Sequence, residues 1–233
     1  MAFVHGKSAA FLIDEFDLSA FFNSADVALT AETAETTTFG DGSKKYIAGL
    51  RDATVSLAGL FDGSANAVDE VLQAALGAAA IISVCPAGVS AIGNRAEMAD
   101  ALATSYGVSA TVADAVQVSA EAQVTGGVLQ GVVLADLAAR TGAGQTAALD
   151  NAASTANGAK AFLHLTAFSG TDITIKVQDS ADNVAWADLI TFTLASGVTS
   201  ESVSASGTVD RYLRVDISGT FSSATFAVTV ARL

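Results

Sequence analysis

The sequence predicts a mainly β protein, with two packed antiparallel sheets and one flanking helix, followed by a C-terminal antiparallel β-sandwich. Three observations support this class. Apolar and polar residues alternate in several segments, most regularly from Val116 to Thr125, and a period of two is typical of half-buried strands. One segment alone has a clear helical period. After Lys160, short alternating segments recur about every ten positions between turn residues, as in a sandwich.

The first half of the chain predicts strands that extend beyond any single core. Residues 8–13 and 26–39 read as strands, but the polar run up to Lys45 has no face that one subunit could cover. This run predicts a projecting hairpin or loop, with Gly40-Asp41-Gly42 as its turn. Strands at 46–50 and 53–61 follow. Their apolar positions change from even to odd numbers, which predicts a bulge near Arg51-Asp52.

The helix is predicted at about residues 66–76. Its apolar positions recur at i, i+3, i+4, i+7 and i+8, and they are Val68, Val71, Leu72, Ala75 and Leu76. Asp69 and Glu70 lie in the first turn, where the helix dipole favours acidic residues, and Gly77 is predicted to end the helix. We expect Ser64 or Asn66 to cap the start.

Composition divides the chain into three parts. Residues 1–137 form the predicted first domain, 138–159 an Ala/Gly/Ser/Thr linker without a period, and 160–233 the C-terminal sandwich. Residues 98–108 are ambiguous between strand and helix because they are rich in alanine. Trp186, the single tryptophan, is expected to anchor the C-terminal core.

The net charge of −13 is unevenly distributed, with −11 in residues 1–150 and −2 in residues 151–233. An acidic surface repels phosphate, so binding of nucleic acid through Lys and Arg contacts is not expected. The single cysteine, Cys85, lies in an apolar stretch and reads as a buried thiol without a disulfide partner in the chain. No signal peptide or membrane-spanning segment is predicted.

The sequence offers little catalytic chemistry. His5 and His164 are the two histidines, and His164 reads as a structural residue on a strand. Zinc sites and a Ser/His/Asp triad are therefore poorly supported. The run from Gly142 to Ala147 lacks the strand that a dinucleotide fingerprint requires. A calcium site at 179–183 is weighed against an Asp/Asn turn, which explains these residues equally well. The acidic cluster at 14–17 is expected to be a solvated turn and not a general acid/base pair. The predictions are no enzyme activity, no metal and no cofactor.

Residues 39–72, from "FGDGSKKYIAGLRDATVSLAGLFDG" into the helix, resemble the major tail tube proteins of long-tailed, siphovirus-type bacteriophages. The similarity extends over about residues 3–135 and includes the closing strands in "SYGVSATVADAVQVSAEAQVTG". The residues that match the family motif are Tyr46, Gly49, Leu50, Asp52, Val55, Leu57, Phe61 and Asp62.

The resemblance implies a structural virion protein that forms homohexameric rings stacked into a hollow tail tube. Viral DNA would pass through the lumen on ejection without specific binding. Other phage tail proteins would be partners, with no membrane partner, and the protein would reside in the virion tail after synthesis in the host bacterial cytoplasm. The C-terminal sandwich resembles the decoration domains that some tail proteins display on the exterior of the tube.

The projecting polar segment is the predicted contact between rings. Its candidate residues are Glu32, Glu35, Phe39, Asp41, Lys44 and Lys45. Two other classes remain open at this point. One is a different phage structural protein, such as a tail terminator, minor tail or decoration protein. The other is a carbohydrate-binding or adhesion module, for which Trp186, Tyr212 and Phe168 are the candidate aromatics.

Overall fold

The computed structural model describes residues 5–233, and strands dominate this part of the chain. The mainly β class with a single α-helix is confirmed. The elements in chain order are β1 (Ala10–Ile13), β2 (Phe16–Asp17), β3 (Phe22–Glu35), β4 (Tyr46–Leu60), α1 (Val68–Ala75), β5 (Ala79–Cys85), β6 (Arg95–Ser109), β7 (Gln117–Arg140), β8 (Gly144–Gln145), β9 (Leu149–Asp150), β10 (Ala159–Ser180), β11 (Ala187–Thr191), β12 (Thr199–Ala205) and β13 (Tyr212–Arg232). Within residues 5–233, no helix is long and apolar enough to cross a membrane.

The described chain forms two compact units. Unit 1 contains residues 5–20, 80–98 and 129–233, and unit 2 contains residues 21–79 and 99–128. Strands β6 and β7 contribute residues to both units. The division into 1–137, 138–159 and 160–233 stays a prediction, and the first four residues of its first domain lie outside the described residues.

Unit 1 is organised around a long antiparallel ladder between β10 and β13. The ladder extends from the pair Ala159–Arg232 to the pair Ser180–Tyr212. Strands β12 and β11 pair with β10 near its two ends, while β7 pairs with β13. Alternate side chains of the ladder are buried in one apolar core, which includes Ile173, Ile175 and Val177. This burial explains the period of two in the sequence after Lys160.

The segment 138–159 also contributes to unit 1. Strands β8 and β9, each of two residues, pair with β13 through Gln145–Asp216 and Tyr212–Asp150. The side-chain amide of Gln145 donates to the Asp216 carboxylate at 2.6 Å. Strands of two residues are too short to leave a periodic pattern in a sequence, so composition alone could not indicate them.

Trp186 is not a core residue, and the expectation that it anchors the C-terminal core is wrong. It is half-buried in the loop before β11, and the guanidinium of Arg214 lies 4.1 Å from the centre of its ring. Three phenylalanines, Phe162, Phe192 and Phe226, are instead fully buried. Tryptophan is large and polar at one atom, so partial burial at a surface is common for it.

Unit 2 contains the antiparallel strands β3, β4 and β7. One face of this sheet is apolar and buried, with Val55 and Leu57 on β4 opposite Ala122 and Ala120 on β7. The alternation of apolar and polar residues in 53–61 and 116–125 arises because every second side chain lies on this buried face. Residues 98–108, ambiguous in the sequence, belong to strand β6. Leu76 bridges to Ala103 on β6 just after α1 ends.

Helix α1 is shorter than predicted, and its predicted cap is wrong. Val68, Val71, Leu72 and Ala75 form its buried stripe, as the period indicates, and Gly77 follows with φ of +77°. The N-cap is Ala67, which has no side-chain bond to the helix. Asn66 has φ of +59° and serves the preceding turn instead, a conformation that asparagine tolerates. Its N–H donates to the Glu70 carboxylate at 2.8 Å.

Candidate assembly surface

The residues predicted to contact another ring lie on one hairpin of unit 2. Strands β3 and β4 pair from Phe22–Gly59 to Glu35–Tyr46, and residues 36–45 form the turn. Strand β7 pairs with β4 only between Thr54 and Leu60. Residues 30–52, which we call the distal hairpin, therefore extend beyond the three-stranded part. At about 3.3 Å per residue, the stretch from Tyr46 to Ala53 is roughly 25 Å long.

The distal hairpin is uncovered on both faces. Every residue from 30 to 52 is exposed except Asp41, which is half-buried. Isolated two-stranded hairpins are marginally stable in water. The distal hairpin is held by its backbone ladder and by contacts at the turn, without a core of its own.

Charged residues at the turn pair with one another. The Lys44 ammonium lies 3.0 Å from the Glu35 carboxylate, and Lys45 pairs with Asp41. Asp41 also accepts a hydrogen bond from the Thr38 backbone N–H at 2.9 Å. The pKa of Asp41 is lowered chiefly by the bond from Lys45 and then by those from Thr38. Four of the six predicted contact residues thus already have partners inside the hairpin.

Apolar side chains of the distal hairpin are exposed to an unusual extent. Phe39 at the turn is fully exposed, Leu50 is 78% exposed, and Tyr46 and Ile47 are more than half exposed. Leu29, just before the distal hairpin, is 57% exposed. Exposed apolar clusters on soluble proteins often mark interaction sites. The predicted contact residues include only Phe39 of these five. Tyr46 and Leu50 lie at even-numbered apolar positions of 46–50, which were a signal for them, whereas Leu29 and Ile47 lie at odd-numbered positions and left no such signal.

A bulge separates the distal hairpin from the rest of the ladder. Register shifts between the pairs Ala31–Arg51 and Thr33–Ala48, so Gly49 and Leu50 together oppose Glu32. This is within two residues of the position that the parity change predicts. A Cβ on Gly49 would lie 3.1 Å from the Glu32 Cβ, so glycine suits the close approach of the strands.

The second face of the unit 2 sheet is polar and open. We call it the open face, and its residues are Ser24, Asp26, Ala28, Thr30, Asp52, Thr54, Ser56, Ala58, Gln117, Ser119, Glu121 and Gln123. All of them are exposed or half-buried. The face carries three carboxylates and no Lys or Arg. Gln123 donates to the Ala53 carbonyl at 3.0 Å and to the Asp52 carboxylate.

Strand β3 forms an edge of the sheet in unit 2. Among the described strands it pairs with β4 alone, along 14 residues. An exposed edge presents backbone N–H and C=O groups that can pair with a strand of another chain. Single-chain proteins commonly protect such edges with bulges or charges.

Comparison with known proteins identifies the family. A family model described as "Phage tail tube protein" matches residues 3–130, which is more than half of the chain. The chain belongs to the phage tail tube protein family. This confirms the resemblance found in the sequence, and the tail tube protein is a structural component of the virion tail, not an enzyme.

Three solved structures are similar to parts of the chain or to most of it. The virion of a native gene transfer agent particle includes a chain with 18% identity, covering 53% of this chain and 95% of that chain, with a TM-score of 0.42. A chain in the tail of an empty gene transfer agent particle, computed with helical refinement and C6 symmetry, has 19% identity. That match covers 53% of this chain and 96% of the tail chain, with a TM-score of 0.42. The crystal structure of the SPP1 Dit protein, described as a paradigm of the hub adsorption apparatus in phages that infect Gram-positive bacteria, has 13% identity. The match covers 96% of this chain and 98% of the Dit chain, with a TM-score of 0.37. No curated protein sequence matches the chain.

The motif residues of the tail tube protein divide between core and surface. Val55 and Leu57 are buried, whereas Tyr46, Leu50 and Phe61 are exposed to at least 40%. The remaining motif residues are polar or glycine. Asp62 accepts a hydrogen bond from the Ser64 N–H at 2.8 Å, and hydrogen bonds from Ser64 lower its pKa.

The candidate residues for chemistry have structural partners. His164 is fully buried, with Nδ1 2.7 Å from the Asp14 backbone carbonyl and Nε2 2.8 Å from the Ser83 Oγ. The partner of Nδ1 is a carbonyl and not a carboxylate, so the arrangement is not a triad. Burial lowers the pKa of His164 to about 4, and it raises the pKa of the Cys85 thiol to about 12.

The acidic residues of 179–183 are not brought together as a cation site. Asp182 accepts hydrogen bonds from the N–H groups of Val184 and Ala185, both at 2.9 Å, in a turn. Asp179 accepts from the Asp210 N–H at 2.9 Å. Among residues 5–233, no group of three or more His, Cys, Asp and Glu side chains is arranged to hold a metal ion.

Proposed function

We propose that this tail tube protein assembles into hexameric rings that stack into a hollow tube, through which viral DNA passes. The observation that supports it best is the distal hairpin, whose two faces are exposed over residues 30–52. No strand of unit 2 other than its own two pairs with this hairpin, so it gains stability when another copy of the chain covers its exposed apolar side chains. The number of subunits per ring rests on the resemblance to the family. Synthesis would take place in the host bacterial cytoplasm.

Lateral joining of subunits would use the exposed edge of β3. Backbone pairing of this edge with a second copy would continue the sheet from one subunit to the next. A closed ring of sheets removes the edges that are exposed in the free subunit. This gives the long edge of β3 a function in assembly.

The open face would line the lumen. It combines three carboxylates with small hydroxyl and amide side chains and has no cation. Lys and Arg would bind phosphates and hold the DNA through counterion release, whereas an acidic wall repels it. Residues 160–233, which the family model does not cover, would lie outside the tube as a decoration.

Deletion of Ala34–Ser43 tests the role of the distal hairpin. Because Thr33 pairs with Ala48, the deletion leaves residues 44–47 as a four-residue loop on an intact ladder. We expect a folded subunit that forms no tubes in negative-stain electron microscopy, while the full chain forms them at high concentration. Normal tubes from the deletion variant would contradict the assignment.

A matched pair of substitutions controls for the loss of any exposed apolar residue. Phe39→Asp should abolish stacking, whereas Val184→Asp should not. Val184 is 80% exposed but lies in unit 1, away from the distal hairpin in sequence. Equal effects of both substitutions would show that a general change of surface charge is responsible.

Cysteine accessibility tests the lumen assignment. Ser119→Cys places a thiol on the open face, and the native Cys85 is buried. In tubes, the new thiol should react with a small maleimide and be protected from a bulky polymer-linked maleimide. A Val184→Cys variant should react with both reagents. Rapid labelling of Ser119→Cys tubes by the bulky reagent would place the open face outside.

A further inference from the structure

A second group of exposed apolar residues lies at the end of the unit 2 sheet opposite the distal hairpin. Strand β4 ends at Leu60, which pairs with Gln117 at the start of β7. The Phe61 N–H then donates to the Val116 carbonyl at 3.0 Å. The loop between β6 and β7 therefore lies beside the end of β4.

We call this group the loop-end patch, and its residues are Leu60, Phe61, Val108, Val112 and Val116. All five are exposed, from 36% for Val116 to full exposure for Val112. The patch is in the same unit as the distal hairpin, and strand β4 connects the two. Fourteen residue steps from Tyr46 to Leu60 separate the ends by roughly 45 Å.

Charge also differs between the two ends. Unit 2 contains three basic and eleven acidic residues, and all three basic residues, Lys44, Lys45 and Arg51, lie on the distal hairpin. Near the loop-end patch, Asp62 follows Phe61 and Asp114 lies in the loop with Val112. The distal hairpin also carries four acidic residues, so its net charge is −1, while the rest of unit 2 carries −7. An acidic and apolar end on one copy therefore meets less repulsion from this nearly neutral, apolar hairpin of another copy than from the rest of unit 2.

We propose that the loop-end patch is the docking surface for the distal hairpin of a second copy of this chain, in the next ring. The proposal rests on the proposed function and identifies the acceptor that the hairpin requires. The contact is heterologous, because different surfaces of the two copies meet, and such a contact leaves one hairpin and one patch free after every addition. Stacking can then continue without limit, as a tube requires.

Cross-linking tests the pairing of the two surfaces. The double variant Phe39→Cys/Val112→Cys places one thiol on each surface at fully exposed positions. Cys85 is buried and should not react. With a short bismaleimide, we expect a ladder of covalent dimers, trimers and larger species under conditions where tubes are present.

Each single cysteine variant is the matched control. With one accessible thiol per subunit, Phe39→Cys or Val112→Cys alone can yield nothing larger than a dimer. A double variant that forms tubes but gives no more than the two single variants would overturn the docking proposal. The proposed function would be unaffected by that result, since the tubes themselves would still be present.

Complementation distinguishes docking from a general loss of solubility or fold. The variant Val112→Asp/Val116→Asp should lack a working patch and retain the hairpin, while the Ala34–Ser43 deletion retains the patch. Neither should form tubes alone, but their mixture should form pairs of rings that do not extend further. The control Val184→Asp/Val198→Asp, at exposed valines of unit 1, should form tubes.

The outcomes separate the two proposals. Normal tubes from the patch variant, together with no tubes from the deletion, would refute the patch and leave the hairpin assignment intact. Tubes from the deletion, or no tubes from the full chain at any concentration, would instead contradict the proposed function.

Discussion

The stability of unit 1 should depend on pH through His164. The buried imidazole is held by a chain of hydrogen bonds whose direction is fixed by the Asp14 carbonyl. A carbonyl can only accept, so Nδ1 carries the proton and donates to it at 2.7 Å. In the neutral ring Nε2 then accepts from the Ser83 hydroxyl at 2.8 Å, and Ser83 accepts from Thr229 at 3.1 Å. A second proton on Nε2 would meet a hydroxyl that is already donating.

The size of the effect follows from the difference in pKa. Burial, the largest cause, lowers the pKa of His164 from 6.5 to about 4. Between these values the unfolded chain binds a proton that the folded chain does not, so the free energy of unfolding rises with pH. At about 1.4 kcal/mol per pH unit, the window of roughly 2.5 units gives about 3 kcal/mol. This stability is present above pH 6.5 and is lost as pH falls towards 4.

Asp14 contributes with the opposite sign. Its pKa is raised, mainly by burial, although a hydrogen bond from the Ile81 N–H opposes this. The folded state therefore disfavours the charged carboxylate, and its contribution to stability increases as pH falls through the raised pKa. The contribution of His164 is best measured at pH 5 to 7 as a difference from a variant that cannot titrate at this position.

The assay is urea unfolding, followed by the fluorescence of Trp186, which lies in the same unit as His164. His164→Gln removes the titrating group and keeps an acceptor towards Ser83, and His5→Gln controls for the other histidine. Near pH 5, the free energy of unfolding of the unsubstituted protein should rise about 1.4 kcal/mol more per pH unit than that of His164→Gln. Parallel pH profiles for the two proteins would refute the reasoning.

Three further predictions concern single side chains in unit 1. The Cys85 thiol, with its pKa raised to about 12 by burial, should not react with a thiol reagent at pH 8 until the protein is denatured. Gly131→Ala should lower the free energy of unfolding by roughly 2 kcal/mol or more, because its Cβ would collide with the Val230 carbonyl. Arg140→Lys should cost roughly 2 kcal/mol in urea unfolding. The planar guanidinium bonds several acceptors and stacks 4.3 Å from the Phe226 ring centre, and an ammonium cannot replace both; unchanged midpoints would contradict the last two.

Much of the strand structure could be predicted because one face of each strand is buried. The alternation from Val116 to Thr125 predicts the first part of β7, and the parity change after residue 50 predicts the bulge beside Gly49. The same logic predicts the stripe of α1. These features are local, and each leaves a period in the sequence.

The helix cap and the contacts between residues far apart in the sequence could not be predicted from a local period. His164 was correctly interpreted as structural, but its partner Ser83 lies 81 positions away and comes into contact only through strand register. Trp186 looked like a core anchor from its type alone. Short partners such as β8 and β9 leave no period, and the loss of the predicted helix cap depends on the backbone of Asn66.

The sequence predicts the candidate assembly surface as a polar hairpin or loop that includes Phe39, and the structure adds further exposed apolar residues to it. The paired charges of Glu35 with Lys44 and of Asp41 with Lys45 are satisfied within the hairpin. Exposed surface ion pairs contribute little to stability, so they are weak candidates for holding rings together. Phe39, Ile47 and Leu50 can contribute more, because each Å² of apolar surface removed from water contributes roughly 25 cal/mol.

The two units differ in how many of their large apolar side chains are exposed and therefore available to contact another copy. Among residues 5–233, twelve of the sixteen large apolar side chains that are exposed belong to unit 2, although it is the smaller unit. Unit 1 leaves the other four exposed and buries most of its large apolar side chains in its own cores. Unit 2 has one buried face and leaves a hairpin, an edge and a loop end uncovered. Its charge of −8 opposes association of free copies, so contacts between them must be strong enough to overcome this repulsion, and the apolar surfaces at its two ends can supply that strength.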